Sequence, residues 1–106
     1  YVRYLKIMLR ELRKYTGKVI FATTTPVLEA SANQKLPYII ERNMAAVEFM
    51  KSENVWINDL YEYVLPHVED YIGMDKIHLN AEGVEKCGQR VAEMICRIDQ
   101  WEEKDD

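Results

Sequence analysis

Apolar residues recur at helical spacing from the start of the chain. Tyr1, Leu5, Met8, Leu9, Leu12 and Tyr15 fall on one stripe with Arg, Lys and Glu between them, a pattern that predicts an amphipathic helix. Gly17 supplies its stop. The run Val19-Ile20-Phe21-Ala22 comes next and ends in Thr23-Thr24-Thr25-Pro26. A β-rich run without polar alternation is the signature of a strand buried on both faces, as in a parallel sheet. Small and polar residues from Val27 to Leu36 predict a loop. Pro37 then suits the first turn of a second helix, whose apolar stripe is read as Leu36, Ile40, Met44, Val47 and Met50. Asn43 falls on the same stripe. A buried amide needs hydrogen-bond partners, so Asn43 is expected to tie this helix to a neighbouring loop. Val55-Trp56-Ile57 predicts a second strand, and Asn58-Asp59 opens a short helix through Tyr63 that ends near Pro66. A loop from His67 to Asn80 leads to the last helix, with Val84, Cys87, Val91, Met94, Ile95 and Ile98 on one face and Asn80 as its N-cap.

Helices alternating with short apolar strands define an α/β class with a parallel sheet and helices packed on its faces. Two strands are too few to finish such a sheet, because an edge stays unpaired and much apolar helix surface stays uncovered. Further strands are therefore expected upstream. The chain opens at Tyr1 inside an apolar helical pattern, so the segment is read as the C-terminal part of a larger domain. The lack of a signal peptide in it is then uninformative about compartment. Alone, the segment is expected to be marginally stable, or to self-associate by strand exchange.

Composition adds little to this picture and excludes some partners. Of 106 residues, 48% are hydrophobic and 30% charged, which is an ordinary globular balance. No apolar run approaches the roughly 20 residues that span a bilayer. The net charge of −4 provides no evident basic face for nucleic acid. The acidic residues Glu102, Glu103, Asp105 and Asp106 read as a solvated tail. Cys87 and Cys96 stand nine positions apart on one predicted helix, a rotation of about 900° that points them to opposite faces. They cannot bridge. Cys87 is read as a core thiol and Cys96 as a free surface thiol.

Candidate chemistry concentrates near the last helix. Asp75 stands three residues before His78, in a stretch expected to turn. There a carboxylate can accept the imidazole Nδ1 proton, fix the tautomer and stabilise the imidazolium that forms on proton abstraction. The other ring nitrogen is then free to act as general base on a hydroxyl. A rival reading takes His67, Glu69, Asp70, Asp75 and His78 together as a zinc or manganese site, since mixed imidazole and carboxylate donors suit those metals. No pair among them has the i, i+4 helical spacing of a metal-ligand motif. Thr23 to Thr25 fall where strand ends face the ligand crevice of a parallel sheet, and they either line a pocket or cap the strand end. Trp56 and Trp101 are read as packing residues.

The stretch Asp75-Lys76-Ile77-His78-Leu79-Asn80-Ala81-Glu82-Gly83, followed by an amphipathic helix, resembles the final sequence block of the SGNH (GDSL-type) hydrolases. Val19 to Val27 is similar to that family's penultimate core strand and the loop after it. Asn43, Ala46 and Met50, with Val55 to Tyr61, resemble the next helix and the last strand. The resemblance runs in order over about residues 1–98 and implies the C-terminal portion of a flavodoxin-like three-layer sandwich. It makes Asp75 the orienting acid and His78 the general base of a serine esterase or acylhydrolase that works through an acyl-enzyme and needs no cofactor or metal. Substrates implied by the family are lipid, carbohydrate and other small esters. The family's Gly-Asp-Ser nucleophile block and its oxyanion-hole Gly and Asn blocks do not occur in this sequence. Ser31 and Ser52, its two serines, stand in no such setting. The segment alone is therefore expected to be inactive. A second reading remains open, a non-catalytic binding or interaction module that keeps this part of the fold.

Overall fold

The computed structural model describes residues 1–28 and 36–105, at 36 and 100–105 the backbone alone. The predicted loop residues 29–35, Ser31 among them, and the side chains of Trp101 and the acidic tail lie outside the described residues. The elements are α1 (Val2–Leu12), β1 (Ile20–Ala22), α2 (Leu36–Ser52), β2 (Trp56–Asn58), α3 (Leu60–Val64), a 3₁₀ turn (Leu65–His67), α4 (Val68–Tyr71) and α5 (Ala81–Asp105). β1 and β2 pair in parallel, with Ile20 opposite Trp56, Phe21 opposite Ile57 and Ala22 opposite Asn58. The described residues are thus mixed α/β around a two-stranded parallel sheet. Among the described residues, no helix is long and apolar enough to cross a membrane.

Two apolar clusters hold these elements together. Leu9 of α1, Met50 of α2 and Val55 form the first, and Leu5, Val19, Phe21, Phe49 and Ile57 pack against it. Because Phe21 and Ile57 are cross-strand partners, α1 and α2 cover the sheet face to which both point. The second cluster is Val64, Tyr71, Ile72 and Cys87, with Leu28, Leu60 and Leu79 packed around it. It joins α3, α4 and α5, and it seats the segment that carries the candidate site.

Several expected faces turn out differently. α1 ends at Leu12, and Tyr15 lies beyond it, exposed, with its amide on the Leu12 carbonyl at 3.0 Å. In α2 the buried line is Asn43, Ala46 and Met50, whereas Ile40 and Met44 of the expected stripe are exposed. Ala46 is fully buried on this line, so α2 turns its small-residue face inward and its larger Ile40 and Met44 outward. Along α5, Cys87 and Ile98 are buried while Val84, Val91 and Ile95 of the same stripe are exposed. The stripe is wider than the surface that covers it. The expected loop from His67 onward contains α4, because Tyr71 and Ile72 supply a buried apolar pair that anchors a helical turn. Trp56 is half-buried in β2, and both cysteines are free, Cys87 buried and Cys96 exposed.

Candidate active site at the Asp75–His78 turn

Residues 72–79 form a closed hairpin between α4 and α5. Ile72 and Leu79 make an antiparallel bridge. The Gly73 amide donates to the His78 carbonyl at 2.7 Å, and at the tip the Lys76 amide donates to the Gly73 carbonyl at 2.9 Å. Lys76 takes the left-handed conformation, φ 64°, which is costly for a side chain of its kind. The turn holds it there because the Asp75 carboxylate caps the next two residues of the chain: Oδ1 accepts from the amides of Ile77 and His78, each at 2.9 Å. This is the local geometry that makes Asp a turn residue.

The second carboxylate oxygen completes the pair. Asp75 Oδ2 lies 2.6 Å from His78 Nδ1. The hydrogen bond to His78, and then the two amides, hold the Asp75 carboxyl well below the usual carboxylate range. An ionised carboxylate can only accept, so Nδ1 carries the shared proton and Nε2 is left as the basic nitrogen. No protein group among the described residues hydrogen-bonds Nε2, and the His78 side chain is 82% exposed. The two predicted site residues are therefore brought together, with the outer nitrogen open to approach.

The turn is tied to the strand ends from two sides. The Leu28 amide donates to the Lys76 carbonyl at 3.0 Å, which fastens the tip to the loop leaving β1. That loop is clamped in turn by Asn43, whose Oδ1 accepts from the Thr24 amide and whose Nδ2 donates to the Thr24 carbonyl, both at 2.9 Å. The expected tie between α2 and a loop is this pair of hydrogen bonds. At the other side, Asn80 caps α5 through the Gly83 amide at 2.8 Å and donates Nδ2 to the Asp70 carbonyl at 2.6 Å. Gly83 is buried, and a Cβ there would lie 2.3 Å from the Tyr71 carbonyl oxygen. Sequence spacing marked Asn80 as a cap but not Gly83 as a close approach.

The remaining candidates are placed elsewhere. His67 stacks on the Tyr71 ring at a centroid distance of 4.9 Å. Among the described residues no group of three or more His, Cys, Asp or Glu side chains is gathered to hold a metal ion, so the five-residue metal reading finds no geometry here. Thr23 is buried; its hydroxyl donates to Asp59 Oδ1 at 3.0 Å and accepts from the Tyr61 amide at 2.9 Å. It therefore fastens the end of β1 to the start of α3, an arrangement that sequence reasoning did not anticipate in detail. Thr23, Asn43, Met44, Asp59 and Tyr61 also line an open cleft of about 820 Å³ between α2 and α3, and neither Asp75 nor His78 borders it. Ser52 is exposed and donates to the Phe49 carbonyl at 2.6 Å. Burial pushes the Cys87 thiol up, away from the ionised form a nucleophile requires.

The chain matches no protein-family model, no curated protein and no solved structure.

Proposed function

We propose that this chain is the acid–base part of a serine esterase or acylhydrolase of the SGNH kind, in which Asp75 orients His78 toward a hydroxyl nucleophile supplied by upstream residues of the same polypeptide. The carrying observation is the 2.6 Å contact of Asp75 Oδ2 with His78 Nδ1, made by a carboxylate already fixed by two backbone amides, on a His78 side chain that is largely exposed. In the proposed reaction Nε2 takes the serine proton as the serine oxygen attacks the ester carbonyl. It returns that proton to the departing alcohol, which leaves an acyl-enzyme. Water then gives a proton to the same nitrogen and attacks the acyl group, and the proton returns to the serine as the carboxylic acid is released. Asp75 stays ionised throughout and stabilises the imidazolium. The two-stranded sheet and the half-covered stripe of α5 accord with a flavodoxin-like sandwich completed by upstream strands, and the substrate pocket belongs largely to those parts.

The test is made on the polypeptide with its upstream sequence. A fluorophosphonate probe is expected to label that protein and not these 106 residues alone. His78→Ala is expected to lower its kcat for a simple aryl ester by on the order of 10⁴. Activity kept within about tenfold would remove His78 from the mechanism. Failure of the probe to label the longer protein would leave the fold as a binding module.

A further inference from the structure

Asp75 fixes His78 within the turn, but it does not fix the turn within the molecule. The contacts between Asp75 and residues 77 and 78 all belong to one hairpin; the Leu28 amide holds its tip through the Lys76 carbonyl, and the trailing limb that carries His78 needs a hold of its own. The trailing limb runs from His78 through Leu79, which packs against the second apolar cluster, to Asn80. There three hydrogen bonds converge on one residue: its amide donates to the Tyr71 carbonyl at 2.8 Å, its Nδ2 donates to the Asp70 carbonyl at 2.6 Å, and its Oδ1 accepts from the Gly83 amide at 2.8 Å. The first two reach the last turn of α4, which is seated by buried Tyr71 and Ile72. The third is the cap of α5.

We infer that Asn80 is a positioning residue for His78, holding the imidazole at a fixed place relative to the sheet by bracing α4 against the start of α5. The inference rests on the hydrolase reading for its catalytic consequence, but not for its structural one. Only an amide does both parts of this work. A Ser at this position caps a helix about as well as Asn, yet it lacks an amide arm to reach the Asp70 carbonyl. The cap and the brace can therefore be separated by substitution.

The experiment compares Asn80→Ser and Asn80→Ala with the parent sequence in three measurements. Thermal melting is expected to be nearly unchanged for Asn80→Ser and lowered for Asn80→Ala, which loses the cap as well. Backbone ¹⁵N relaxation at Ile77 and His78 is expected to fall from the rigid range toward the flexible one, below about 0.6 in order parameter, in both variants. In the longer polypeptide, kcat for Asn80→Ser is expected to fall between about tenfold and a hundredfold with KM changed less than about twofold, since small misplacement of a catalytic group weakens chemistry more than binding. Unchanged relaxation at His78 in Asn80→Ser would overturn the inference and leave Asn80 as a helix cap. So would loosened relaxation with unchanged kcat in an active parent. If the parent polypeptide itself has no esterase activity, the hydrolase reading falls, and the relaxation result alone decides whether Asn80 braces the turn.

Discussion

Asp75 contacts His78 twice over: its Oδ2 lies 2.6 Å from the imidazole Nδ1, and its Oδ1 accepts the His78 backbone amide at 2.9 Å. The same carboxylate thus orders the ring and the backbone that carries it. Because the carboxylate only accepts, it also chooses the tautomer, with Nδ1 protonated and Nε2 basic.

Asp75→Asn tests that choice directly. An Asn can still accept the Ile77 and His78 amides through its oxygen, but its amide group then faces Nδ1 as a donor. The proton is expected to move to Nε2, the wrong nitrogen for a general base. Two-dimensional ¹⁵N spectra of the imidazole read this without any assay, and they are expected to show the two ring nitrogens exchanging character between the parent and Asp75→Asn. On the proposed hydrolase reading, the same substitution made with the upstream sequence present is expected to reduce kcat by on the order of 10⁴. An unchanged tautomer would mean that the pair does not set the chemistry of His78.

The Asp75 carboxyl also gives a dependence on acid. Hydrogen bonds from His78 and from two amides lower its pKa in the folded chain, so the folded state binds this proton less readily than the unfolded state. Stability from the pair is therefore fully present above the ordinary Asp value of about 4 and is lost as pH falls through the depressed folded value. The melting-temperature gap between parent and Asp75→Asn is expected to shrink as pH falls below about 4. A gap that does not shrink below about pH 4 would contradict the assigned hydrogen bonds.

Asn43 tests the clamp behind the site. Its side chain takes the place of a neighbouring strand for the Thr24 amide and carbonyl. Asn43→Leu removes both bonds and buries an apolar group against the freed backbone atoms, so the expected loss is about 1–3 kcal/mol in chemical denaturation. Asn43→Asp keeps the acceptor for the Thr24 amide but turns a carboxylate oxygen toward its carbonyl in a buried site, and is expected to lose at least as much at neutral pH. Because Leu28, four residues on, holds the Lys76 carbonyl at 3.0 Å, faster amide exchange at Leu28 in Asn43→Leu would show that the clamp reaches the turn.

The range of each signal along the chain decides how much of the fold and site is legible in the sequence. The strands at Ile20 and Trp56 and the helices on either side announce themselves through local periodicity. Asn43 announces its clamp because an amide on an apolar stripe demands a partner. Asp75 and His78 can be paired because both lie within one turn. The rotation of α2 is not legible, since Ile40 and Met44 are as apolar as the residues that are buried and the small Ala46 is the one sealed inside. α4 is hidden for a related reason: Tyr71-Ile72 is an apolar pair too short to show a period. The Thr23–Asp59–Tyr61 network joins residues 36 and 38 positions apart, and a pattern along the chain carries no information at that distance.

Gly83 and Gly88 provide a final test, because the same substitution on the same helix is expected to have opposite signs. Both lie in α5, where Gly is less favourable than Ala by about 0.5–1 kcal/mol. At Gly88 a Cβ meets nothing within 4 Å, so Gly88→Ala is expected to stabilise the chain by roughly that amount. At Gly83 the Cβ would fall 2.3 Å from the Tyr71 carbonyl oxygen, with Leu79 Cδ2 and Tyr71 Cβ each at 3.1 Å. A backbone oxygen cannot turn aside as a side chain can, and that oxygen already accepts the Asn80 amide at 2.8 Å. Gly83→Ala must therefore push α5 off α4, which is expected to outweigh the helix-propensity gain and cost about 1–3 kcal/mol net. The displacement is also expected to lengthen the Asn80 contacts, so the His78 resonances should shift in Gly83→Ala and stay fixed in Gly88→Ala. Equal stabilisation by both substitutions would mean that α5 does not approach Tyr71 as closely as described, and the brace on the Asp75–His78 turn would have to be sought elsewhere.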